Sequence, residues 1–529
     1  MNRGRWILIV LLLFISIVPS ACQKGEIQQG AQPRIKSVQP TSSTKRVILV
    51  ILDSMMDKPL QEAIRNGQAP ALKFLMERGH YKPDAVSSFP TMSVTIDSTI
   101  LTGSGPDGHH VPGLVWYNSR EGRLVSYGTA LWETLKLGVG DVFKNSLYRL
   151  NNVHLNKQVK TIHEELAARG IETASINGMV YRGTTEHRLK VPAAFADSTS
   201  LPRDLKTLAP KWFSLGVLSR LKPDDVRNTH AWQSYGLNDE FSADELIYLI
   251  EQDRLPSFTL VYLPNNDHDV HRKGPAETRG IERADKQLQR VFQAFGSWDA
   301  AMKDNVWIIA GDSGQTYIER ERERSIIDLR QVLNSYRIAA LSKPVTKQDQ
   351  IVLAVNERMA YVYINDSKVA KAEAVRRLQQ EKRIDVIAWM EGGDILVRSG
   401  RNEQELTYRP NGNVRDRYGQ TWNIRGDIGL LDMSLRKSDK RLEYGDYPDA
   451  LMRLHSALSS HEGNFVIVTA APGSEFIGES SPTHSGGAGH GSLHKQDSHV
   501  PLLISGSETR PDIFRLVDVK RWIMNELGH

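Results

Sequence analysis

The sequence has a single cysteine, Cys22, among its 529 residues. An intramolecular disulfide is therefore excluded, and the fold must be held together by its hydrophobic core. The sequence also lacks internal repeats and any basic block with interleaved aromatic residues, and its net charge of +5 is too small to favour a nucleic-acid partner. Hydrophobic residues make up 40% and charged residues 24%, as in a soluble globular protein. The length suits one large domain with an insertion, or a few ordinary domains.

Residues 1–22 have the pattern of a secretory signal peptide. Two arginines precede an apolar run at residues 6–18, and small residues follow before Cys22. The run is shorter than the ~20 residues of a transmembrane helix. A lone cysteine after small residues resembles a bacterial lipobox, which implies a lipoprotein anchored to the cell membrane through Cys22; an ordinary secreted protein is the alternative. Residues 23–44 are polar and predict a flexible tether.

Three apolar runs lead into aspartates, which predicts buried strands with acids at one edge of a sheet. The runs and their acids are Arg46–Leu52 with Asp53, Phe258–Leu263 with Asp267, and Val306–Ala310 with Asp312. Continuous apolar runs suit strands of a parallel sheet, and open α/β sheets bind ligands at the carboxyl ends of their strands. Taken singly, each acid is equally compatible with a turn cap or a solvated loop.

Helices alternate with these strands, which predicts a doubly wound α/β fold with a mostly parallel sheet. One of the predicted helices covers residues 59–78. Between residues 326 and 442 the pattern changes to that of an inserted α+β cap lobe. The predicted catalytic domain therefore consists of residues 45–325 and 443–529.

The stretch Ser88–Gly103 is rich in hydroxyl groups and predicts a loop that turns into a helix. Residues before Pro90 avoid the helical region, and the apolar residues after it recur at helical spacing. A helix start offers free N–H groups and partial positive charge, which suit a phosphate and lower the cost of an alkoxide. A simple helix cap is the alternative.

Two histidines follow strands in a similar way. Asp267 and His271 are four residues apart, so one helical turn would bring them to one face, where they suit zinc or a similar divalent metal. A solvated polar loop is the alternative. His490 lies in a late loop rich in glycine, serine and histidine. A parallel sheet would gather these groups with the acids around a hydroxyl, as a metal-activated nucleophile requires.

Together, these motifs resemble the alkaline phosphatase superfamily, specifically its nucleotide pyrophosphatase/phosphodiesterase branch. The Phe-Pro-x-x-Ser stretch that ends in Thr102-Gly103 identifies Ser93 as the nucleophile of that family. The resemblance implies two zinc sites, one formed by Asp267, His271 and His490, the other by Asp53, Ser93 and Asp312. It further implies an extracytoplasmic, metal-dependent hydrolase of phosphate esters that acts through a phosphoseryl intermediate.

The sequence departs from the family pattern at two positions. Ser313 stands where the family usually has a metal-binding histidine, which predicts a weaker second metal, or manganese or magnesium in place of zinc. Leu114 stands where the family commonly has an asparagine that donates to the phosphoryl oxygen, and Asn118 is the predicted substitute. These departures keep open a second hypothesis, a catalytically weak or inactive surface relative that binds phosphorylated ligands.

Overall fold

The central strand of the fold is Arg46–Leu52, which is fully buried from Val47 onward. The computed structural model describes residues 45–129, 131–199, 201–222, 227–509 and 515–528. The predicted signal peptide, the tether and Cys22 lie outside these ranges. Among the helices within them, none is long and apolar enough to cross a membrane.

Seven strands form the main sheet. In spatial order they are Gly79–Val86, His499–Ser505, Asn305–Ala310, Arg46–Leu52, Phe258–Leu263, Thr173–Ile176 and Trp212–Ser214. His499–Ser505 is antiparallel to both of its neighbours, whereas the five strands from Asn305–Ala310 to Trp212–Ser214 pair in parallel. This arrangement confirms the predicted mostly parallel sheet.

Helices cover both faces of this sheet, because successive side chains of a strand point to opposite faces. On the central strand, Leu49 packs in the same core cluster as helix Ser93–Thr102, and Val50 packs in the cluster of helix Arg279–Ala294. The first face also carries Ile162–Ala167 and Val519–Glu526, and the second carries Asp57–Arg65, Pro70–Glu77, Asp239–Glu251 and Trp298–Lys303. The doubly wound α/β fold is therefore confirmed.

A second sheet of nine strands is built mostly from the predicted inserted lobe. Its strands are Ile351–Asn356, Met359–Ile364, Ile384–Glu391, Asp394–Arg398, Leu406–Asp416, Thr421–Gly426, Met433–Arg436, Arg441–Tyr444 and Phe465–Ala470. Helices Lys371–Gln379 and Ala450–Leu458 pack on it in separate core clusters. The boundaries at residues 326 and 442 stay a prediction. Phe465–Ala470, which lies beyond them, pairs with both Met359–Ile364 and Ile384–Glu391.

Shorter elements connect these layers. Four two-stranded pairs are Val115–Asn118 with Arg123–Ser126, Thr185–Lys190 with Asp204–Ala209, Thr316–Tyr317 with Ala488–Gly489, and Ile326–Asp328 with Glu475–Ile477. The remaining α-helices are Pro106–His109, Leu131–Leu137, Val139–Lys144, Ala193–Thr199, Asn265–Lys273, Arg322–Ser325, Leu329–Val332 and Lys495–Ser498. Asn145–His154 is a π-helix, and Ala231–Gly236, Ile428–Leu431 and Leu516–Asp518 are 3₁₀-helices.

The single helix predicted over residues 59–78 is in fact two helices, Asp57–Arg65 and Pro70–Glu77. Pro70 is the cause of the break, because proline has no N–H to donate within a helix. At the first position of the second helix that missing donor costs nothing, since the first N–H groups of a helix have no partner within it. Apolar spacing alone had hidden this boundary.

Candidate active site

The three strand-end acids meet at the carboxyl edge of the main sheet. Because Arg46–Leu52 pairs in parallel with the strands on both of its sides, all three strands deliver their acids to one edge. Asp53 follows its strand directly, Asp312 follows its strand after one glycine, and Asp267 lies on the helix Asn265–Lys273. Their proximity is reflected in the pKa of Asp53, which burial and then the charges of Asp312 and Asp267 raise well above its usual value.

Ser93 is the first residue of the predicted helix, which spans Ser93–Thr102. Its hydroxyl does not cap that helix, because Met92 occupies the N-cap position and no side chain makes the capping hydrogen bond. The Ser93 side chain instead lies beside the carboxyl group of Asp312, whose pKa is raised by burial and lowered in part by this hydroxyl. A hydroxyl at a helix start therefore lies beside a carboxylate that can accept its proton.

Asp267, His271 and His490 form a compact group, here called the imidazole cluster. Oδ1 of Asp267 lies 3.2 Å from Nε2 of His271 and 3.9 Å from Nε2 of His490. Each ring donates its Nδ1–H to a backbone carbonyl, His271 to Ala488 at 2.8 Å and His490 to Thr91. Both Nε2 atoms thus face the carboxylate, in the fixed orientation that metal-binding histidines have.

A further carboxylate, Glu357, reaches the imidazole cluster from the second sheet. Glu357 lies in the turn between Ile351–Asn356 and Met359–Ile364, with φ of 55°. Its Oε1 is 3.9 Å from Nε2 of His271, and its Oε2 is 4.0 Å from Nε2 of His490. The backbone N–H of His490 also donates to Oε2 at 3.1 Å. Residues from both sheets therefore converge on one point.

Opposite charges compensate each other within the imidazole cluster. Burial alone would lower the pKa of His271, but the carboxylates of Asp267 and Glu357 outweigh it and raise that pKa to about 10. Burial alone would raise the pKa of Asp267, but His271 and then His490 outweigh it and hold that pKa well below its usual range. The Asp267 carboxylate is therefore ionised at neutral pH.

Asp53, Asp312 and Ser93 form a second group, here called the carboxylate cluster. The Tyr262 hydroxyl donates to Oδ2 of Asp53 at 2.5 Å, and the backbone N–H of Ser313 donates to Oδ1 of Asp312 at 2.7 Å. The other oxygen of each carboxylate is buried and has no hydrogen-bond partner among the described residues. Burial is the main reason that both carboxyls have raised pKa values. A bound cation would satisfy these two oxygens.

Hydroxyl and amide groups occupy the region where the family pattern predicts an imidazole. Oγ of Ser313, which is fully buried, lies 3.1 Å from Oγ of Ser54. Ser54 in turn donates from Oγ to Oδ1 of Asp267 at 2.8 Å, and the side-chain amide of Gln315 donates to the same oxygen at 2.7 Å. Ser313 therefore belongs to a hydrogen-bonded chain that ends on the imidazole cluster.

A pocket of about 270 Å³ connects the two clusters. Ser93, Asp53, Glu357 and the three residues of the imidazole cluster line it, together with apolar side chains that include Leu114. A phosphate ester has a volume that this pocket can accept, and the lining brings a hydroxyl, carboxylates and imidazoles to its surface. These are the groups that metal-assisted phosphoryl transfer uses.

Comparison with known protein families decides the class of the chain. The family model of type I phosphodiesterases and nucleotide pyrophosphatases matches residues 47–427, which is most of the chain. The chain belongs to this family. Membership confirms the resemblance inferred from the motifs, and it supports the broad activity predicted from them, hydrolysis of phosphate esters.

Solved structures of other proteins share the fold of this family member at low sequence identity. Murine ectonucleotide pyrophosphatase/phosphodiesterase 5 is 12% identical with a TM-score of 0.54, and the match covers 92% of this chain and 95% of the murine one. An inactive form of it in complex with AMP matches with the same values. Phosphonoacetate hydrolase from Sinorhizobium meliloti 1021, in complex with phosphonoacetate, is 15% identical with a TM-score of 0.54 and coverages of 92% and 96%. No curated protein sequence matches the chain.

The two metal positions expected of a type I phosphodiesterase differ in how well their donors fit zinc. The imidazole cluster offers one carboxylate oxygen and two imidazole nitrogens, all within 4.8 Å of one another. That donor set, with both rings oriented by carbonyl groups, suits zinc. The carboxylate cluster offers oxygen donors alone, two of which lack a hydrogen-bond partner among the described residues. Oxygen donors suit magnesium or manganese better than zinc.

The side chain of Asn118 is not among those that line the pocket. This residue ends the strand Val115–Asn118, its amide donates to Glu121 at 3.0 Å, and its carbonyl oxygen accepts the backbone N–H groups of Arg120 and Glu121. Its side chain closes a hairpin turn, whereas Leu114 lines the pocket. The physical reason is that four residues of extended strand span ~13 Å, too far for Asn118 to replace a side chain at residue 114.

Sequence reasoning missed Ser54, Gln315 and Glu357. A signal existed for the first two, because each lies within three residues of a predicted strand-end acid. No local pattern marks Glu357, which reaches the site only because the second sheet presents a hairpin turn to it. A search limited to strand-end motifs of the main sheet could not find it.

Proposed function

We propose that the protein is a metal-dependent phosphodiesterase or phosphatase in which Ser93 is the nucleophile. The observation that carries this proposal is the position of the Ser93 hydroxyl, which lies beside Asp312 at a helix start and lines the pocket of the imidazole cluster. A helix start can hold phosphoryl oxygens through its free N–H groups. The same position would support an attack on phosphorus.

In the proposed reaction, Oγ of Ser93 bonds to phosphorus while the bond from phosphorus to the leaving alcohol breaks. The serine proton passes to the neighbouring carboxylate of Asp312, one oxygen of which has no hydrogen-bond partner among the described residues. The leaving alkoxide takes a proton from solvent. Water then attacks phosphorus and releases one proton to solvent, the bond from phosphorus to Ser93 breaks, and Asp312 returns the proton to the serine oxygen. This cycle needs a base beside the nucleophile, which is the role proposed for Asp312.

The two clusters are proposed to hold two divalent cations. Asp267, His271 and His490 would bind zinc, and Asp53, Asp312 and Ser93 would bind the second ion, which the all-oxygen donor set favours as manganese or magnesium. When bound, the cations supply positive charge that stabilises the phosphoryl group in the transition state and lowers the pKa of attacking oxygens.

Trapping the covalent intermediate tests the nucleophile. The purified protein would be incubated with a nitrophenyl phosphodiester or phosphomonoester and added zinc or manganese, then quenched in acid and digested. We expect a phosphate or phosphodiester adduct on the peptide that contains Ser93, and hydrolysis that stops when a chelator is added. Metal-dependent hydrolysis with no adduct on Ser93, under conditions that trap another phosphoseryl enzyme, would contradict the proposal. The AMP complex of the murine relative makes nucleotide esters a suitable second set of substrates.

Ser313 and Leu114 favour a second candidate function, a weak or inactive relative that binds phosphorylated ligands. Ser313 supplies no imidazole to the carboxylate cluster, and Leu114 offers an apolar side chain where the family commonly donates a hydrogen bond. Calorimetric titration with AMP in the presence of zinc separates the two functions. Binding without turnover of any ester in the screen would favour the second.

The proposed location is extracytoplasmic, with the protein anchored to the bacterial membrane through a lipid on Cys22. The supporting pattern is the basic and apolar start of the chain followed by small residues and the lone cysteine. Expression of Cys22→Ser tests it, because no other thiol can carry the lipid. We expect the variant to leave the membrane fraction after signal cleavage. Retention of a cleaved Cys22→Ser chain in membranes would contradict the anchor.

A further inference from the structure

We propose that Glu357 is a fourth protein ligand of the metal bound by the imidazole cluster. This inference rests on the proposed function, because it concerns the metal site beside Ser93. The carboxylate of Glu357 faces both rings of the imidazole cluster, with Oε1 3.9 Å from Nε2 of His271 and Oε2 4.0 Å from Nε2 of His490, and Asp267 lies 3.2 Å from the same atom of His271. Nothing in the family motifs marks Glu357, which comes from the second sheet.

One of the distances between these donors matches four-coordinate zinc, and the others are longer by about 0.6 Å or more. Zinc binds nitrogen and oxygen at about 2.0–2.1 Å in a tetrahedron, whose edges are then about 3.3 Å. The edge from Asp267 to His271 is 3.2 Å, and the edge from Asp267 to His490 is 3.9 Å. The edges from Glu357 to the two histidines are 3.9 and 4.0 Å. In the proposed complex the Glu357 carboxylate moves toward both rings, so that one of its oxygens reaches the metal.

The backbone around Glu357 is fixed by a hydrogen bond and by the burial of the next residue. Its carbonyl accepts the N–H of Phe476 at 2.8 Å, and the next residue, Arg358, is fully buried against Asp497. Glu357 adopts a left-handed conformation, which costs a residue other than glycine about 1 kcal/mol or more. Since a glycine would fit this turn at lower cost, the glutamate side chain is the feature that needs an explanation. The hydrogen bond that Oε2 accepts from the N–H of His490 at 3.1 Å fixes its orientation, and coordination of a metal is the further role that this orientation allows.

His484 is the competing ligand in this region. His271, Glu357 and His484 also form a group whose donor atoms lie within 4.8 Å of one another. Nδ1 of His484 is 2.8 Å from a carboxylate oxygen of Glu475, so its Nε2 is free to bind. However, Nε2 of His271 is closer to Asp267 than to Glu357, at 3.2 against 3.9 Å. The metal is therefore placed with Asp267 and His490, and His484 is left outside its ligands.

Four protein ligands would close the site. A zinc site with four protein ligands has no position for water or substrate, whereas catalytic sites keep one open. Glu357 must therefore leave before a phosphate oxygen can reach this metal. Because Glu357 belongs to the second sheet, the inserted region would determine when the metal becomes accessible.

Zinc affinity in competition with a chelating dye tests the assignment without any substrate. We expect Glu357→Gln to weaken zinc binding on the order of 100-fold, because one of the four proposed ligands is lost. Glu391→Gln, in the next hairpin turn, is the matched control, and His484→Ala tests the competing ligand. Both should stay within about threefold of the unaltered protein. An unchanged affinity in Glu357→Gln, or an equal loss in His484→Ala, would overturn the proposal.

Cobalt spectra separate a ligand from a nearby charge. With one equivalent of Co²⁺, the visible bands of the unaltered protein should not change between about pH 6 and 9, because no metal-bound water is present to titrate near pH 7. In Glu357→Gln a water takes the fourth position, and the bands should become pH-dependent. Identical titrations of the two proteins would mean that Glu357 is not a ligand. Neither measurement involves Ser93 chemistry, so failure here leaves the proposed nucleophile standing.

Discussion

The imidazole cluster and the carboxylate cluster share one pocket, but neighbouring groups favour the charged forms in the first and the neutral forms in the second. In the imidazole cluster, the Asp267 carboxylate has His271 at 3.2 Å, and each group shifts the pKa of the other toward its charged form. In the carboxylate cluster, burial and the charge of Asp312 raise the pKa of Asp53 instead. In the first cluster, groups of the protein balance one another's buried charges. The second cluster needs a bound cation or added protons to balance its carboxylates.

This difference explains why the loss of one histidine need not abolish the second metal site. Replacing imidazole by Ser313 removes a nitrogen donor but leaves two buried carboxylate oxygens without partners among the described residues. Buried carboxylate oxygens without partners raise the free energy of the metal-free protein. Binding of a cation removes this unfavourable contribution. Hard cations, which prefer oxygen, would gain the most.

The largest expected effect is the loss of turnover when Ser93 is replaced, with little change in stability. Ser93→Ala should lower turnover of the best substrate by about 1000-fold or more, because the attacking oxygen is lost. Its thermal midpoint should change little, since the hydroxyl caps no helix. Kinetics and thermal unfolding of the purified variants measure both quantities.

Ser98→Ala is the matched control for that prediction. Ser98 lies on the same helix and is fully buried, but its hydroxyl donates to the carbonyl of Val94 at 2.7 Å and takes no part in the site. We expect near-normal turnover from it. Equal activity in Ser93→Ala and the unaltered protein would point to another nucleophile.

The next effect compares the metal affinities of the clusters directly. His271→Ala should weaken the tight zinc site on the order of 100-fold, because one of its few ligands is lost. Asp53→Asn should leave that site within about threefold but remove the weaker one. Calorimetric titration of each variant measures both sites. Two equally tight sites in the unaltered protein would refute the asymmetry.

Local motifs in the sequence were enough to predict most of these site residues. Asp53 and Asp312 lie within two residues of the ends of buried apolar strands, and the spacing of Asp267 and His271 matches one helical turn, so short-range patterns marked them. His490 required the family resemblance. Glu357 could not be predicted, because its place depends on the hairpin that the second sheet presents to the main one. Phe465–Ala470 illustrates the same limit for the fold, since an apolar run predicts a buried strand but not the sheet that contains it.

A smaller gain is expected when the missing imidazole is restored. Ser313 is fully buried and contacts Ser54, so a histidine there needs the space that Ser54→Gly also provides. Glycine suits residue 54 in any case, because its backbone is left-handed with φ of 52°. One nitrogen ligand contributes about 3 kcal/mol and tighter packing removes about 1, so the double variant should bind zinc at the second site about 30-fold more tightly.

Ser54→Gly alone is the control for the double variant. It removes the hydroxyl that donates to Asp267 but adds no metal ligand. Calorimetry on both variants should show the gain only in Ser54→Gly/Ser313→His. No gain would mean that another residue already completes the carboxylate cluster.

The smallest effect concerns Gln315, whose side-chain amide donates to Oδ1 of Asp267 at 2.7 Å and to Oγ of Ser54 at 2.9 Å. Partners that orient a metal ligand typically contribute 10- to 100-fold to affinity, and here Ser54 still donates to the same oxygen. Gln315→Leu should therefore weaken zinc at the imidazole cluster by only about tenfold. Gln315→Glu should weaken it less, because an added carboxylate near the cation offsets the lost amide. If Gln315→Leu proved as damaging as His271→Ala, the amide would have to do more than orient Asp267, and the two clusters would behave as one cooperative site.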